Sequence, residues 1–272
     1  MKNFMLLFIV AFFTNFASGQ TPCGTISPLD CSEVGVNLPV NLDFNSSSPN
    51  TVLDNSGSGT GFTAVLEHSE ARRTAEGDLP ISNPSLNGYE PSLLAISGGA
   101  LEITSQAGIA FRNPNFTGGS TNNNNQVNTL GVGFNDLQEK VTIRTKLLNI
   151  VTGGSSAQAG IWFGFDEDNF VKVDINDDNV ELRVESNGLS GNGTTGSDQI
   201  QTNLSASGND VVLELVVDPA TLIAEAFHTI GTNPRTSLGS LPIPSNYFTG
   251  RDINATGGQD NMSFAGIFVS HR

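Results

Sequence analysis

The sequence predicts an all-β fold in which two antiparallel sheets pack face to face as a jelly-roll sandwich. About a dozen short stretches alternate apolar and polar residues with a period of two, as half-buried strands do. Clusters of Gly, Asn, Asp and Ser separate these stretches at regular spacing. No window of the sequence shows a convincing helical period, so we expect the sheets to supply nearly all of the core.

One jelly-roll domain, residues 38–272, is expected to contain all of these strands. A long polar connection covers residues 67–98, and connections of that length are usually functional or disordered. The last strand is apolar on both faces, which is typical of a central strand. The predicted strands are Leu38–Phe44, Phe62–Leu66, Ala100–Thr104, Gly108–Arg112, Val127–Phe134, Lys140–Leu148, Gln158–Phe165, Val171–Ile175, Val180–Glu185, Asp198–Leu204, Val211–Asp218, Leu222–Thr229, Thr236–Leu241 and Ser263–Ser270.

The N-terminal residues 1–19 have the pattern of a secretory signal peptide. Lys2 precedes the apolar run Phe4–Phe13, and small residues at 17–19 precede a cut that leaves Gln20 first. No other apolar run approaches the length of a membrane span. We therefore expect a secreted protein, extracellular or periplasmic, that does not insert into a membrane. The alternative is that this segment forms a buried N-terminal strand of the core.

Two cysteines, Cys23 and Cys31, lie in the segment 20–37 that follows the expected cut. In an oxidising compartment such an isolated pair is expected to form a disulfide that closes a small loop. Two cysteines alone make a poor metal site, and the residues before Cys23 do not resemble a lipid-attachment signal.

The formal net charge of −15 excludes a nucleic-acid partner, because the acidic surface repels phosphate backbones and no basic run is present. No cofactor is required by any motif. The acidic turns at 166–169 (DEDN) and 176–179 (NDDN) have the oxygen ligands that a structural calcium ion uses. Asp and Asn are also ordinary turn formers, and the interpretation as turns without a metal ion is favoured. The loop that starts at Asp54 faintly resembles a calcium loop but lacks its final Glu.

The segment 158–185 is the most informative part of the sequence, since it predicts three successive antiparallel strands with a defined register. If Asp174 lies opposite Glu181, the apolar residues of both strands share one face of the sheet. The other face then pairs Lys172 with Arg183 and also carries Trp162. Like charges would lie directly opposite each other, although the diagonal contact between Lys172 and Glu181 would compensate.

That polar face is the candidate carbohydrate-binding site. An exposed indole can stack on a pyranose ring, and charged side chains can bind its hydroxyl groups. Glycines on both sides of Trp162, at positions 160 and 164, leave the ring without bulky neighbours on the same face. The candidate site residues are Trp162, Lys172, Asp174, Glu181 and Arg183. The alternative is that a long loop covers Trp162 and that the charges form a solvated ladder.

The phrases AGIWFGFDEDNFVKVDI, VVLELVVDPATLIAEAF and FAGIFVSHR resemble the concanavalin A-like lectin/glucanase superfamily, and more narrowly laminin-G-like modules of secreted bacterial proteins. The resemblance implies a jelly roll with a concave face that binds glycans. It also implies a structural calcium ion near the first and last strands, for which Asp43 is the candidate ligand. The Glu-x-Asp-x-x-Glu motif of retaining glucanases is absent, since position 172 is Lys.

We therefore expect a secreted lectin-like module that recognises a polysaccharide on its concave sheet face without cleaving it. One alternative is a polysaccharide hydrolase or lyase of the same fold. Glu181 and Glu185 share a strand face and offer a carboxylate pair, but their backbones are about 13 Å apart along the strand. Another alternative is a structural or adhesive protein with a protein partner. The glycan and the oligomeric state are left open.

Overall fold

The protein folds as two antiparallel β-sheets packed face to face, which confirms the predicted fold class. The structure is a computed structural model and describes residues 3–7, 36–49, 51–65, 89–105, 126–135, 137–150, 157–166, 169–186, 189–190, 199–204, 206, 208–252 and 261–271.

Sixteen strands, one short α-helix and one short 3-10 helix (Pro91–Leu93) are described in these ranges. The strands are β1 (Asn3–Leu7), β2 (Ala64–Val65), β3 (Leu94–Ser97), β4 (Ala100–Thr104), β5 (Leu130–Asn135), β6 (Val141–Ile150), β7 (Gln158–Asp166), β8 (Asn169–Asn176), β9 (Asn179–Ser186), β10 (Leu189–Ser190), β11 (Gln199–Asn203), β12 (Asn209–Asp218), β13 (Ile223–Ile230), β14 (Thr236–Pro242), β15 (Arg251–Asp252) and β16 (Asn261–Ser270), and the helix is α1 (Asn246–Thr249). None of the described helices has the length and hydropathy needed to cross a membrane.

The first sheet has seven strands in the order β14-β13-β12-β6-β1-β4-β3. Its buried residues alternate with more exposed ones along β6 and β12, as the period of a strand requires. The apolar rows that face the second sheet include Leu101, Ile103, Leu147 and Leu213, which are all buried. One face of this sheet therefore forms half of the core.

The second sheet has nine strands, and seven of them follow the order β10-β9-β8-β7-β16-β5-β2. Strand β11 also pairs with β9, and β15 pairs with β16. Ile161, Val173, Leu182 and Ile267 lie on its inner face and belong to the same large apolar cluster as the first sheet's rows. The central position of β16 between β5 and β7 agrees with the apolar pattern on both of its faces.

Most predicted strands are present within a few residues of their expected bounds, and Ala100–Thr104 is matched at both ends. Leu38–Phe44 is not a strand. Pro39 lacks the backbone N–H that pairing with a neighbouring strand needs. Just before this segment, the chain is held by a single hydrogen bond, from Val36 N–H to Gly133 O at 2.8 Å. Leu42 and Phe44 are nevertheless buried in the core, which accounts for the strand-like pattern.

Four strands were not predicted: the two-residue strands Leu189–Ser190 and Arg251–Asp252, and two that belong to the first sheet. Leu94–Ser97, in the expected loop 67–98, pairs with β4 as an edge strand of the first sheet. Asn3–Leu7, in the expected signal peptide, lies between β4 and β6. The full chain thus adopts the alternative N-terminal strand, whereas secretion and the cut before Gln20 stay predictions. Cys23, Cys31 and the predicted strand 108–112 lie outside the described residues.

Candidate functional site

The predicted register of the three-strand segment is confirmed. Asp174 lies opposite Glu181 across the β8–β9 hairpin, and Lys172 lies opposite Arg183. Trp162 on β7 lies opposite Lys172 on β8. The hairpin turns through Asp177, whose φ is 53°, a left-handed value that Asp tolerates better than most residues. The sequence pattern therefore brought the five candidate residues to one face of three neighbouring strands.

An ionic cluster forms where β8 and β9 meet. Lys172 Nζ is 3.1 Å from Asp174 Oδ2 and 3.7 Å from Glu181 Oε1, so the expected diagonal contact is present. Arg183 Nε lies 3.0 Å from Glu181 Oε1. Lys172 Nζ also donates a hydrogen bond to Gln158 Oε1 at 2.8 Å. Two cations and two carboxylates thus balance in charge, and the like charges that face each other are offset by their neighbours.

The cluster is mostly withdrawn from solvent. Asp174 is 0% exposed, and Lys172 and Glu181 are also buried. Burial raises the pKa of Asp174 to about 6, with the Lys172 ammonium opposing the rise and the Glu181 carboxylate adding to it. Among the described residues, Asp174 Oδ1 has no hydrogen-bond partner. A buried acceptor without a donor costs about 1–3 kcal/mol, so this oxygen makes the cluster less stable than a fully paired one would be.

One side of the cluster reaches solvent along β11. Gln199 lies opposite Arg183, and Gln201 lies opposite Glu181. The Arg183 side chain is 23% exposed and donates through Nη2 to Gln199 Oε1 at 2.7 Å. Gln199 Nε2 in turn donates to Glu181 Oε2 at 2.5 Å and to Gln201 Oε1 at 2.7 Å. This polar rim connects the buried carboxylates to the surface.

Trp162 does not present an open ring. It is 2% exposed and belongs to a second apolar cluster with Ala64, Phe170, Phe264 and Phe268. Its Nε1–H donates to Leu130 O at 3.2 Å. The expectation of an exposed stacking platform therefore differs from the structure, because the indole is packed against aromatic side chains on the outer face of the nine-stranded sheet.

One glycine makes room for the indole, but it is not one of those expected from the sequence. Gly266 and then Gly131 lie opposite Trp162 on the next two strands. A Cβ at Gly131 would lie 3.0 Å from Trp162 Cζ2, so the ring rests above this backbone. A Cβ at Gly160 would instead lie 2.2 Å from Val173 O on β8. Gly160 is thus required by a neighbouring backbone and does not clear space for a ligand.

The candidate calcium ligands are not grouped. Asp43 is exposed and accepts the Asn45 N–H at 3.1 Å, and this hydrogen bond holds its pKa below the usual value. In the described part of the chain, no three His, Cys, Asp or Glu side chains are placed to hold a metal ion. Residues 167–168 of one acidic turn lie outside the described ranges. The assignment of calcium to Asp43 stays a prediction.

The loop at Asp54 is closed by its own hydrogen bonds. Asp54 is buried, and its Oδ1 accepts the N–H groups of Ser56 at 2.9 Å and Ser58 at 2.8 Å. Its Oδ2 accepts the N–H of Ile96 on β3 at 2.9 Å. Burial alone would raise the Asp54 pKa, but these hydrogen bonds outweigh it and lower the pKa. This carboxylate joins a turn to a sheet edge.

Three polar residues of the site were missed from the sequence. Gln158 precedes the apolar alternation of β7, and Gln199 and Gln201 stand on β11, a mostly polar strand whose pairing partner is not encoded in its own pattern. The available signal was the alternation of Gln with Ile200, which places both glutamines on one face.

No protein-family model matches the sequence, and no curated protein matches it either. Among solved structures, the GH43 protein BlXynB from Bacillus licheniformis is 15% identical, with a TM-score of 0.39, over 54% of this chain and 26% of its own. A functionally unknown protein from Saccharomyces cerevisiae is 16% identical, with a TM-score of 0.45, over 66% of this chain and 83% of its own. Peanut lectin is 11% identical, with a TM-score of 0.26, over 53% of this chain and 80% of its own.

The chain thus spans about a quarter of the length of the GH43 protein. The sandwich architecture rests on the strand pairing of the chain itself.

Proposed function

We propose that the chain is a secreted, non-catalytic carbohydrate-binding module of the concanavalin A-like type, and that it binds a neutral polysaccharide at the β8–β9–β11 cluster. The observation that carries the proposal is Asp174 Oδ1, a buried acceptor with no partner among the described residues, behind a polar rim that reaches solvent. Sugar hydroxyl groups supply the donors that this oxygen lacks. Asp174 and Glu181 would accept these hydroxyls, while Lys172 and Arg183 would donate.

The charge of the cluster favours a neutral glycan. Lys172 and Arg183 balance Asp174 and Glu181, so the cluster offers no excess of positive charge to a uronate or sulfate group. The net charge of the whole chain, −15, opposes polyanions as well. The amides of Gln199 and Gln201 both donate and accept, which suits the mixed character of hydroxyl groups.

Lys172 is the main argument against catalysis. A retaining glycosidase places its two carboxylates about 5–5.5 Å apart with the sugar between them. Here the Lys172 ammonium contacts both Asp174 and Glu181, and it is buried itself. Because the ammonium lies between the carboxylates, a substrate cannot reach both of them without displacing it.

A second candidate, a glycoside hydrolase, is favoured by one observation. The pKa of Asp174 is raised to about 6 mainly by burial, and Asp174 lies opposite a second carboxylate, Glu181. A carboxyl group with a raised pKa beside another carboxylate is the arrangement of a general acid and its partner. In that case Asp174 would protonate the glycosidic oxygen.

Affinity electrophoresis on gels containing neutral or acidic polysaccharides tests the proposal. We expect retarded migration on at least one neutral polysaccharide, and loss of that retardation in Arg183→Ala. Arg235→Ala is the matched control, because Arg235 pairs with Glu214 on the other sheet. A reducing-end assay on the retained polysaccharide separates the two candidates. New reducing ends that disappear in Asp174→Asn would show that the chain hydrolyses the polysaccharide. Migration that stays unchanged in Arg183→Ala would contradict the proposed binding site.

A further inference from the structure

Asp174 and Glu181, the two opposed carboxyl groups of the cluster, are not equally well paired. Glu181 Oε2 accepts a hydrogen bond from Gln199 Nε2 at 2.5 Å, and its Oε1 lies 3.0 Å from Arg183 Nε. Asp174 Oδ2 accepts a hydrogen bond from Lys172 Nζ at 3.1 Å. Asp174 Oδ1 has no hydrogen-bond partner in the described part of the chain, although the side chain is fully buried. A proton therefore stabilises Asp174 more than it stabilises Glu181.

The charged groups that face Asp174 lie on β8 and β9. Lys172 is its neighbour on the same face of β8, and Glu181 lies directly opposite on β9. Arg183 is diagonal to Asp174 across the same pair of strands. On β7 the residue opposite Asp174 is Gly160, which has no side chain, and β11 carries no charged residue. Two cations and one carboxylate thus act on Asp174 from the described elements around it.

Burial keeps a proton on Asp174 at mildly acidic pH. It raises the pKa of Asp174 to about 6, with the Lys172 ammonium opposing the rise and the Glu181 carboxylate adding to it. The Lys172 ammonium also lies 5.3 Å from the centre of the Phe268 ring, a contact that favours the cation. Below about pH 6 the proton is therefore held by a carboxyl group while Lys172 keeps its charge.

We propose that glycan binding at the β8–β9–β11 cluster releases one proton from the carboxyl pair of Asp174 and Glu181 to the solvent, so that the affinity rises with pH. The inference rests on the proposed function, because it concerns the same site. Since Asp174 Oδ2 accepts from Lys172, the proton is held by Oδ1, the oxygen assigned to a sugar hydroxyl. A protonated oxygen donates, whereas a hydroxyl that donates to it needs an acceptor. The proton and the hydroxyl therefore compete for Oδ1.

The polar rim gives the glycan access to the carboxyl pair. The Arg183 side chain is 23% exposed, whereas Glu181, which it contacts, is buried. Gln201 lies opposite Glu181 on β11 and is exposed. Loss of the proton takes the four charged groups of the cluster from one net positive charge to none. The ionised cluster is thus the form that suits an uncharged ligand.

The pKa of Asp174 sets the size of the effect. With a pKa of about 6, about a tenth of the free sites are ionised at pH 5 and about nine tenths at pH 7. If the glycan binds only the ionised form, its affinity increases about tenfold between these two values. At pH 6 about half of the sites hold the proton, so binding releases about 0.5 proton per site.

Isothermal titration of the full chain with neutral polysaccharides tests the inference. Laminarin, xyloglucan and galactomannan are the probes, and each is titrated at pH 5, 6 and 7. At pH 6 the titration is repeated in phosphate and in imidazole, which differ in their enthalpy of ionisation, so that the difference in measured heat counts the protons released. We expect about 0.5 proton released at pH 6 and an affinity about tenfold higher at pH 7 than at pH 5.

Two variants identify the group that releases the proton. In Asp174→Asn the affinity should not change with pH and no proton should be released, whatever the affinity itself is. Asp178→Asn is the matched control, because Asp178 is exposed in the adjacent turn, and it should keep the tenfold pH dependence. If Asp174→Asn fails to fold, the proton count in the natural protein still decides the question.

The outcomes separate this inference from the proposed function. Binding with the same affinity at pH 5 and pH 7, and without proton release, would overturn the coupling and leave carbohydrate binding in place. Proton uptake on binding would overturn it as well, because the carboxyl group would then act as a donor to the glycan. No binding of any of the three polysaccharides at any pH would contradict both.

Discussion

Asp174 and Glu181 lie directly opposite each other on β8 and β9, and the Lys172 ammonium contacts both carboxylates, at 3.1 and 3.7 Å. The pairing of like charges is therefore stabilised by a cation from the neighbouring position on one of the two strands. The arrangement is buried, which makes each contact stronger and each missing contact more costly. Both the stability of the sheet and the proposed binding site depend on it.

Asp174 should make the stability of the protein depend on pH. Burial raises its pKa from 3.8 to about 6, so the folded state holds this proton more tightly than the unfolded state. The stabilisation is complete below about pH 4 and is lost as the pH rises to about 6, by about 3 kcal/mol. In Asp174→Asn the side chain stays neutral. The stability of the variant relative to the natural protein should therefore improve by about 1–3 kcal/mol between pH 4 and pH 7.

Urea denaturation at pH 4, 5, 6 and 7 measures this difference. Asp178→Asn is the control for the removal of a carboxylate, because Asp178 is exposed in the adjacent turn. If the difference in the free energy of unfolding between Asp174→Asn and the natural protein does not change with pH, the Asp174 carboxylate is solvated in the folded state.

Removal of the Lys172 ammonium should destabilise the sheet strongly. Lys172→Met keeps most of the side-chain volume but leaves Asp174 and Glu181 facing each other without their shared cation. Breaking a buried ion pair in this way costs about 3–5 kcal/mol. Lys140→Met is the control, because Lys140 is 60% exposed and solvent screens its pair with Asp218, so its loss should change the stability little. Similar losses for the two variants in denaturant titrations at pH 7 would contradict the buried cluster.

Trp162 provides a direct optical test of burial, since the chain contains one Trp. At 2% exposure its fluorescence should be blue-shifted relative to the unfolded protein and poorly quenched by iodide. Addition of a bound polysaccharide should leave the emission maximum unchanged, because the ring does not contact the proposed ligand. If iodide quenches the fluorescence strongly and the polysaccharide suppresses this quenching, the indole is exposed and stacks on the sugar.

Asp54 should be important for acid stability. Its carboxylate accepts hydrogen bonds from Ser56, Ser58 and Ile96, and Asp54→Ala leaves these donors without it. We expect a loss of about 2–4 kcal/mol at pH 7, from several hydrogen bonds to a charged group. Because the pKa of Asp54 is lowered, its contribution is present above pH 3.8 and is lost as the pH falls through the folded-state value.

Thermal unfolding at pH 7 and pH 3 measures this contribution. The destabilisation by Asp54→Ala should shrink at pH 3. Asp43→Ala, which removes an exposed carboxylate with one local N–H contact, should have little effect at either pH. A larger effect for Asp43→Ala would favour its assignment as a ligand of a structural ion.

The register of β7, β8 and β9 could be predicted because both faces carry strong patterns. The apolar row through Val173 and Leu182 fixes which residues of each strand face the core. A two-residue turn between β8 and β9 then fixes which residues lie opposite each other. The ionic cluster followed from that register. Its polar rim did not, because β11 is largely polar and its pairing with β9 is a long-range contact that periodicity does not encode.

The burial of Trp162 could not be predicted for a related reason. Alternation shows which face a residue is on, but not whether other parts of the chain cover that face. The glycine beneath the indole, Gly131, lies on β5, a strand that precedes Trp162 by about 30 residues in the sequence. Gly160 and Gly164, the glycines nearest to Trp162 in the sequence, instead allow the backbone of β8 to approach closely.

The most direct test of the binding site compares Arg183→Ala with Arg235→Ala by isothermal titration with the polysaccharide that retards the natural protein. Arg183 stands between the solvent-exposed rim and Glu181, whereas Arg235 is an exposed arginine on the other sheet. Loss of a hydrogen bond to a charged group costs about 1.5–3 kcal/mol, so the affinity of Arg183→Ala should fall about 10-fold to 150-fold. The affinity of Arg235→Ala should equal that of the natural protein. Equal affinities for all three proteins would contradict a binding site at the β8–β9–β11 cluster.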